Sequence, residues 1–256
     1  MSTLQLDNLI VIALLACAPA LLCLIVLMRW LGIKGSLLSP VEFPITTIIG
    51  VVACMLSGMF LAREFWGVLL YVVFFFLMLN FFLRTDGLSG REVFSPSKIS
   101  IQKSIFNGVG VVALALPVVF FLLSLGQIIL ISFGFEPGIQ DSVTRLRDSG
   151  EASEVFRVVL LGVVAAPLVE EFLFRGIIYR RLCVHLHTVT ANVIQAALFS
   201  FVHFYWAGFV PLFFLGFVLA RLYEKSGSIY SCVVAHMLFN LFNIAFVLII
   251  KWHNVA

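Results

Sequence analysis

Two adjacent carboxylates, Glu170 and Glu171, lie inside an apolar run that reads Ala165-Ala166-Pro167-Leu168-Val169-Glu170-Glu171-Phe172-Leu173-Phe174-Arg175-Gly176. A later apolar run ends in Phe199-Ser200-Phe201-Val202-His203, and a third contains His236-Met237-Leu238-Phe239-Asn240. Ionisable side chains within apolar helices are costly and mark functional sites by default. Residues i and i+4 share a helix face. Glu171 and Arg175 have that spacing, so they can pair and hold the helix. Glu170 has no such partner on its own helix. Adjacent helical residues point about 100° apart, so the two carboxylates are not expected to face one site squarely. An unpaired carboxyl in apolar surroundings is poised for proton transfer near neutral pH, which makes Glu170 the candidate base. His236 and Asn240 are again i and i+4. They offer an imidazole and an amide donor one turn apart, either as a clamp for an oxyanion or as an interhelical polar pair.

The elements that position these residues are read as membrane helices. Of 256 residues, 62% belong to the set AVILMFWYC and 11% are charged, against about 45–50% and 25% in soluble domains. That excludes a soluble enzyme, a disulfide-rich secreted domain and a disordered chain. A net charge of only +3, with scattered basic residues, excludes a nucleic-acid module. Apolar runs fall at 9–28, 44–62, 65–83, 105–134, 157–179, 188–206, 208–223 and 229–250. The expected fold is all-α, a polytopic membrane bundle of about eight transmembrane helices of about 20 residues each. Continuous rather than alternating runs favour helices over a barrel. Residues 1–134 would hold about four spans, 135–156 a polar loop, and 157–250 four more spans carrying the chemistry. Another polar loop is expected from Arg84 to Ser104, and a kink at Pro117. Met1 to Asn8 lack Lys and Arg, so the first run reads as a span rather than a cleaved signal. The loops on one side hold eleven Lys and Arg and those on the other hold five, which places both termini outward. Cys17, Cys23, Cys54, Cys183 and Cys232 form no C-x-x-C pair and read as small buried hydrophobes.

The motifs E-E-x-x-x-R, F-x-x-x-H and H-x-x-x-N stand in that order as Glu170-Glu171-x-x-x-Arg175, Phe199-x-x-x-His203 and His236-x-x-x-Asn240. Together they resemble the CPBP family, which comprises the type II CAAX prenyl proteases and proposed bacteriocin-processing relatives. Leu215-Gly216 and Ser226-Gly227-Ser228-Ile229 are also similar to the family. The resemblance covers about 157–245 and implies an intramembrane glutamic endopeptidase of the cell membrane. In that reading Glu170 activates a water, His203 helps hold or polarise it, and His236 with Asn240 stabilises the oxyanion. Partners would be membrane lipids and a peptide or protein substrate, lipidated or plain, with no nucleic acid and no cofactor.

His203 falls near the outer end of its run, whereas Glu170 and His236 sit well inside theirs. At 1.5 Å per residue the mismatch exceeds ~10 Å. The resolution expected is a helix that stops short, with a break at 205–211 around a cavity open to the inward side, since irregular backbone at depth needs such a cavity. A rival reading is a zinc-dependent membrane protease with Glu170, His203 and His236 as metal ligands. No H-E-x-x-H pair is present, and few carboxylates are available to orient the histidines. A proton-coupled transporter would use buried Glu and His as a relay, but no internal repeat is found. A non-catalytic scaffold or immunity protein is the fourth reading, and the presence of all four motif residues argues against it.

Overall fold

The computed structural model describes residues 17, 19–28, 30–31, 43–61, 65–85, 88, 90, 94, 99–149 and 151–255. Among these residues there is no strand. The helices are α1 (Pro19–Met28), α2 (Ile45–Leu61), α3 (Phe65–Thr85), α4 (Ile101–Ser132), α5 (Asp141–Asp148), α6 (Ala152–His185), α7 (Thr188–Phe201), α8 (Phe209–Ser226) and α9 (Ile229–Val255). Helix thus stands where each of the eight apolar runs falls. Among the described residues, however, only α4, α6 and α9 are long and apolar enough to cross a membrane. The 14 residues of α7 rise about 21 Å, short of a hydrocarbon core of about 30 Å. The last turns of α8 carry Arg221, Glu224 and Lys225. These two helices form a hairpin joined by the turn 202–208. The turn contains Phe204 at φ +49°, a left-handed conformation that costs a residue with a Cβ roughly 1–2 kcal/mol.

The polar stretch 135–156 is not simply a loop, because it contains α5 and the start of α6. Six polar or charged side chains among eight hide the pattern, yet Leu146 is 1% exposed and anchors the helix. Lys251 of α9 donates to the Leu146 carbonyl at 2.9 Å. The expected loop from Arg84 to Ser104 lies largely outside the described residues. The helix α4 starts where the Ser100 hydroxyl accepts the Lys103 N–H at 3.2 Å, a helix N-cap. It continues past Pro117 to Ser132.

The helix α4 packs directly against α9. A Cβ added at Gly108 would stand 2.9 Å from Val234 Cγ1, 3.0 Å from the Ala235 backbone nitrogen and 3.2 Å from the Ser231 carbonyl oxygen. Backbone atoms cannot step aside, so this glycine sets the distance between the two helices. Gly110, on the same helix, has open space around it. Gly108→Ala should therefore destabilise by about 1–3 kcal/mol through overpacking. Gly110→Ala should be neutral or gain about 0.5–1 kcal/mol from helix propensity. Thermal unfolding of both variants in detergent or lipid checks the contrast.

Candidate active site

The site is built where α6, α7 and α9 meet, and α6 is not a plain α-helix there. It opens into π-helical turns over Leu160–Ala165 and Phe172–Tyr179. Glu170 and Glu171 sit in the one α-helical stretch between them, Ala166–Glu171. Such π-turns occur disproportionately at functional sites, because they re-aim side chains relative to a regular helix.

Glu171 and Arg175 have no exposure and pair at 2.8 Å through Oε1 and Nη1. The same Oε1 accepts a hydrogen bond from His236 Nδ1, also at 2.8 Å. Arg175 Nη2 donates to the Gly216 carbonyl on α8 at 3.1 Å. The guanidinium lies 4.4 Å from the centroid of the Phe199 ring, a stacking that suits a desolvated cation. The same ring approaches the rings of His203 (4.9 Å) and His236 (5.7 Å).

Glu170 Oε2 stands 3.8 Å from His203 Nε2 and 3.9 Å from His236 Nε2. No protein group hydrogen-bonds to that oxygen. The Glu170 side chain is 19% exposed and that of His203 16%, so both border space that a water can occupy, whereas His236 is only 3% exposed. His203 Nδ1 lies 2.7 Å from the Phe199 carbonyl. A carbonyl only accepts, so that nitrogen carries its proton, and Nε2 of a neutral ring is left with its lone pair toward Glu170. The carboxylate of Glu171 imposes the same tautomer on His236.

Sequence spacing separated Glu170 from Glu171. The structure brings both onto one imidazole, Glu171 at Nδ1 and Glu170 facing Nε2. The two ring nitrogens point in different directions, so side chains about 100° apart on a helix can both reach one ring. The part of Glu171 as an orienter of His236 was hidden, because its i+4 arginine already explained it. The helix stops short as His203 required, but the break falls at 202–208 rather than 205–211. The helix α7 ends at Phe201, and His203 folds back along the helix to the carbonyl four residues earlier. Asn240 uses an amide N–H on the Gly162 carbonyl of the first π-turn, at 2.8 Å. It therefore ties α9 to α6 and keeps one further N–H. Sequence reading missed Asn192 and Gln195 of α7, both buried. The signal was available, since 192, 195, 199 and 203 fall on one helical face that ends at the motif histidine. Among the described residues no three or more His, Cys, Asp and Glu side chains are grouped as a metal site requires.

Residues 152–242 match the family model for type II CAAX prenyl endopeptidase Rce1-like proteins. The match confirms the resemblance read from the three motifs and spans all of them, within little more than a third of the chain. Neither a curated protein nor a solved structure matches. The matched segment lies on α6 to α9, and α6 and α9 are two of the three helices that, among the described residues, are long and apolar enough to cross a membrane.

Removing the arginine should test the buried pair. Arg175→Ala leaves Glu171 charged and without its cation at zero exposure, which should cost about 3–5 kcal/mol of stability. The midpoint of thermal or denaturant unfolding should fall accordingly. A variant that unfolds like wild type yet loses all turnover would place Arg175 in the chemistry instead.

Proposed function

We propose that the protein is an intramembrane glutamic endopeptidase that hydrolyses a peptide bond of a membrane-associated or lipidated substrate, as CAAX prenyl proteases do. The observation that carries this reading is the convergence of Glu170 Oε2 on α6, His203 Nε2 in the turn after α7 and His236 Nε2 on α9, each histidine within 3.9 Å of the carboxylate. Spacings of 3.8–3.9 Å are too long for direct hydrogen bonds and suit groups joined through one water. That water donates one hydrogen to Glu170 and the other to His203 Nε2. Glu170 takes the proton as the water oxygen adds to the scissile carbonyl carbon. The oxyanion that forms accepts from the remaining amide N–H of Asn240 and from Nε2–H of His236, whose ring enters and leaves the step as the imidazolium paired with the Glu171 carboxylate. Glu170 then returns its proton to the leaving nitrogen. The C–N bond breaks, and one carboxyl and one amine are released. The reading includes a multi-pass protein of the cell membrane, lipids as its surroundings and no cofactor.

Zinc held by the same three residues is the second reading. What favours it is that both histidines have Nδ1 engaged, on Glu171 and on the Phe199 carbonyl. That is the outer-shell pattern of metal-bound imidazoles. One experiment separates the two. Purified protein in lipid is offered prenylated and plain membrane peptides, and products are read by mass spectrometry. Wild type should cleave, Glu170→Gln should lose about 10²–10⁴-fold in kcat, and a chelator should leave wild-type activity intact. Activity lost to the chelator and restored by zinc would select the metal reading. Equal cleavage by wild type and Glu170→Gln would remove Glu170 as the base.

A further inference from the structure

Gln195 has zero exposure, and its amide is committed on one side only. Its Nε2 donates to the Gly216 carbonyl at 3.0 Å and to Asn192 Oδ1 at 2.9 Å, while its Oε1 has no partner. Turning the amide over would set its oxygen against two acceptors, so this orientation is forced. Asn192 in turn donates to the Phe217 carbonyl at 3.1 Å. The Gly216 carbonyl that receives Gln195 is the one that receives Arg175. A continuous hydrogen-bond path thus runs from Gln195 of α7 through Gly216 of α8 and Arg175 and Glu171 of α6 to His236 of α9. A Cβ at Gly216 would lie 3.1 Å from Phe199 Cδ1 and 3.2 Å from Ala196 Cα. The bare glycine is what lets α7 come near enough for Gln195 to reach this carbonyl.

A buried acceptor without a partner costs about 1–3 kcal/mol, and an apolar residue of the same size would exchange Gln195 Oε1 for Asn192 Oδ1 as the unpaired acceptor, so it would serve the fold about as well. Such a group in a native interior calls for another explanation. We infer that Gln195 is a positioning residue for the hydrolytic site. It holds the Gly216 carbonyl and the α7 face at the distance at which Arg175 grips Glu171. Phe199, one turn further along α7, and His203 in the turn just beyond it are thereby held, with His203 against Glu170. The inference rests on the proposed protease reading for its kinetic consequences, but its geometric content stands without them.

The test uses the full-length protein in lipid as wild type and as Gln195→Met, with Gln195→Ala as a second variant in case Met packs badly. Three quantities are measured: the unfolding midpoint, kcat and KM on a prenylated peptide, and the rate at which diethylpyrocarbonate modifies His203 and His236. The rates are normalised to His253 in the same molecule. Gln195→Met should unfold near the wild-type temperature, because it exchanges one unpaired buried acceptor for another. Its kcat should fall at least tenfold with KM within twofold, and modification of His203 and His236 should quicken severalfold. Unchanged kcat with unchanged histidine labelling would overturn the inference. So would a loss of kcat that follows a loss of stability in both variants. If wild type cleaves nothing offered, the protease reading is what suffers, and the labelling rates still decide whether Gln195 positions the histidines.

Discussion

A guanidinium and a carboxylate that see no solvent must satisfy one another, since each buried ion forfeits several kcal/mol of hydration. Arg175 and Glu171 pair at 2.8 Å, and their remaining contacts reach α7, α8 and α9. Arg175 takes the Gly216 carbonyl and lies over Phe199. Glu171 takes the Nδ1 proton of His236. The pair thus decides which tautomer His236 adopts and where its other nitrogen points. Glu170, next in the chain, has its Oε2 left without a hydrogen-bonding protein partner and facing two imidazole nitrogens. One carboxylate is committed through its Oε1 to an arginine and a histidine, and the adjacent one faces both imidazoles.

The helices around the pair depart from regularity where it needs them to. The π-turns on both sides of Glu170 and Glu171 alter the facing of α6 without ending it. The early end of α7 and the left-handed Phe204 let His203 fold back to the level of Phe199. Glycines at 108 and 216 bring α4 onto α9 and α7 onto α8 at distances that a side chain would forbid. Each device spends local stability, which is where strain is expected to gather in a protein with a built site.

Much of this was legible in the sequence, and the limits were physical. Helical spacing is a local rule, so it found the Glu171–Arg175 pair and the shared face of His236 and Asn240. It also isolated Glu170 as the carboxyl without a helical partner. Local rules cannot say what lies across the bundle. They therefore missed that Glu171 also binds His236, that Asn240 holds the Gly162 carbonyl, and that Gln195 shares Gly216 with Arg175. Hydropathy located helix at all eight apolar runs, but a run of apolar residues does not fix a length of helix, and α7 stops at 14 residues. The charged stretch at α5 read as loop because its single inward anchor, Leu146, gives too little periodicity to detect.

Proton abstraction by Glu170, as opposed to direct attack by its carboxylate, is the step on which the account turns. A single turnover in water enriched in ¹⁸O, with enzyme in excess over a prenylated peptide, tests it most directly. If Glu170 acts as the base, the new carboxyl of the first product carries the label and Glu170 carries none. An unlabelled first product, with ¹⁸O recovered in the peptide containing Glu170, would mean that the carboxylate itself attacked, and would contradict the account.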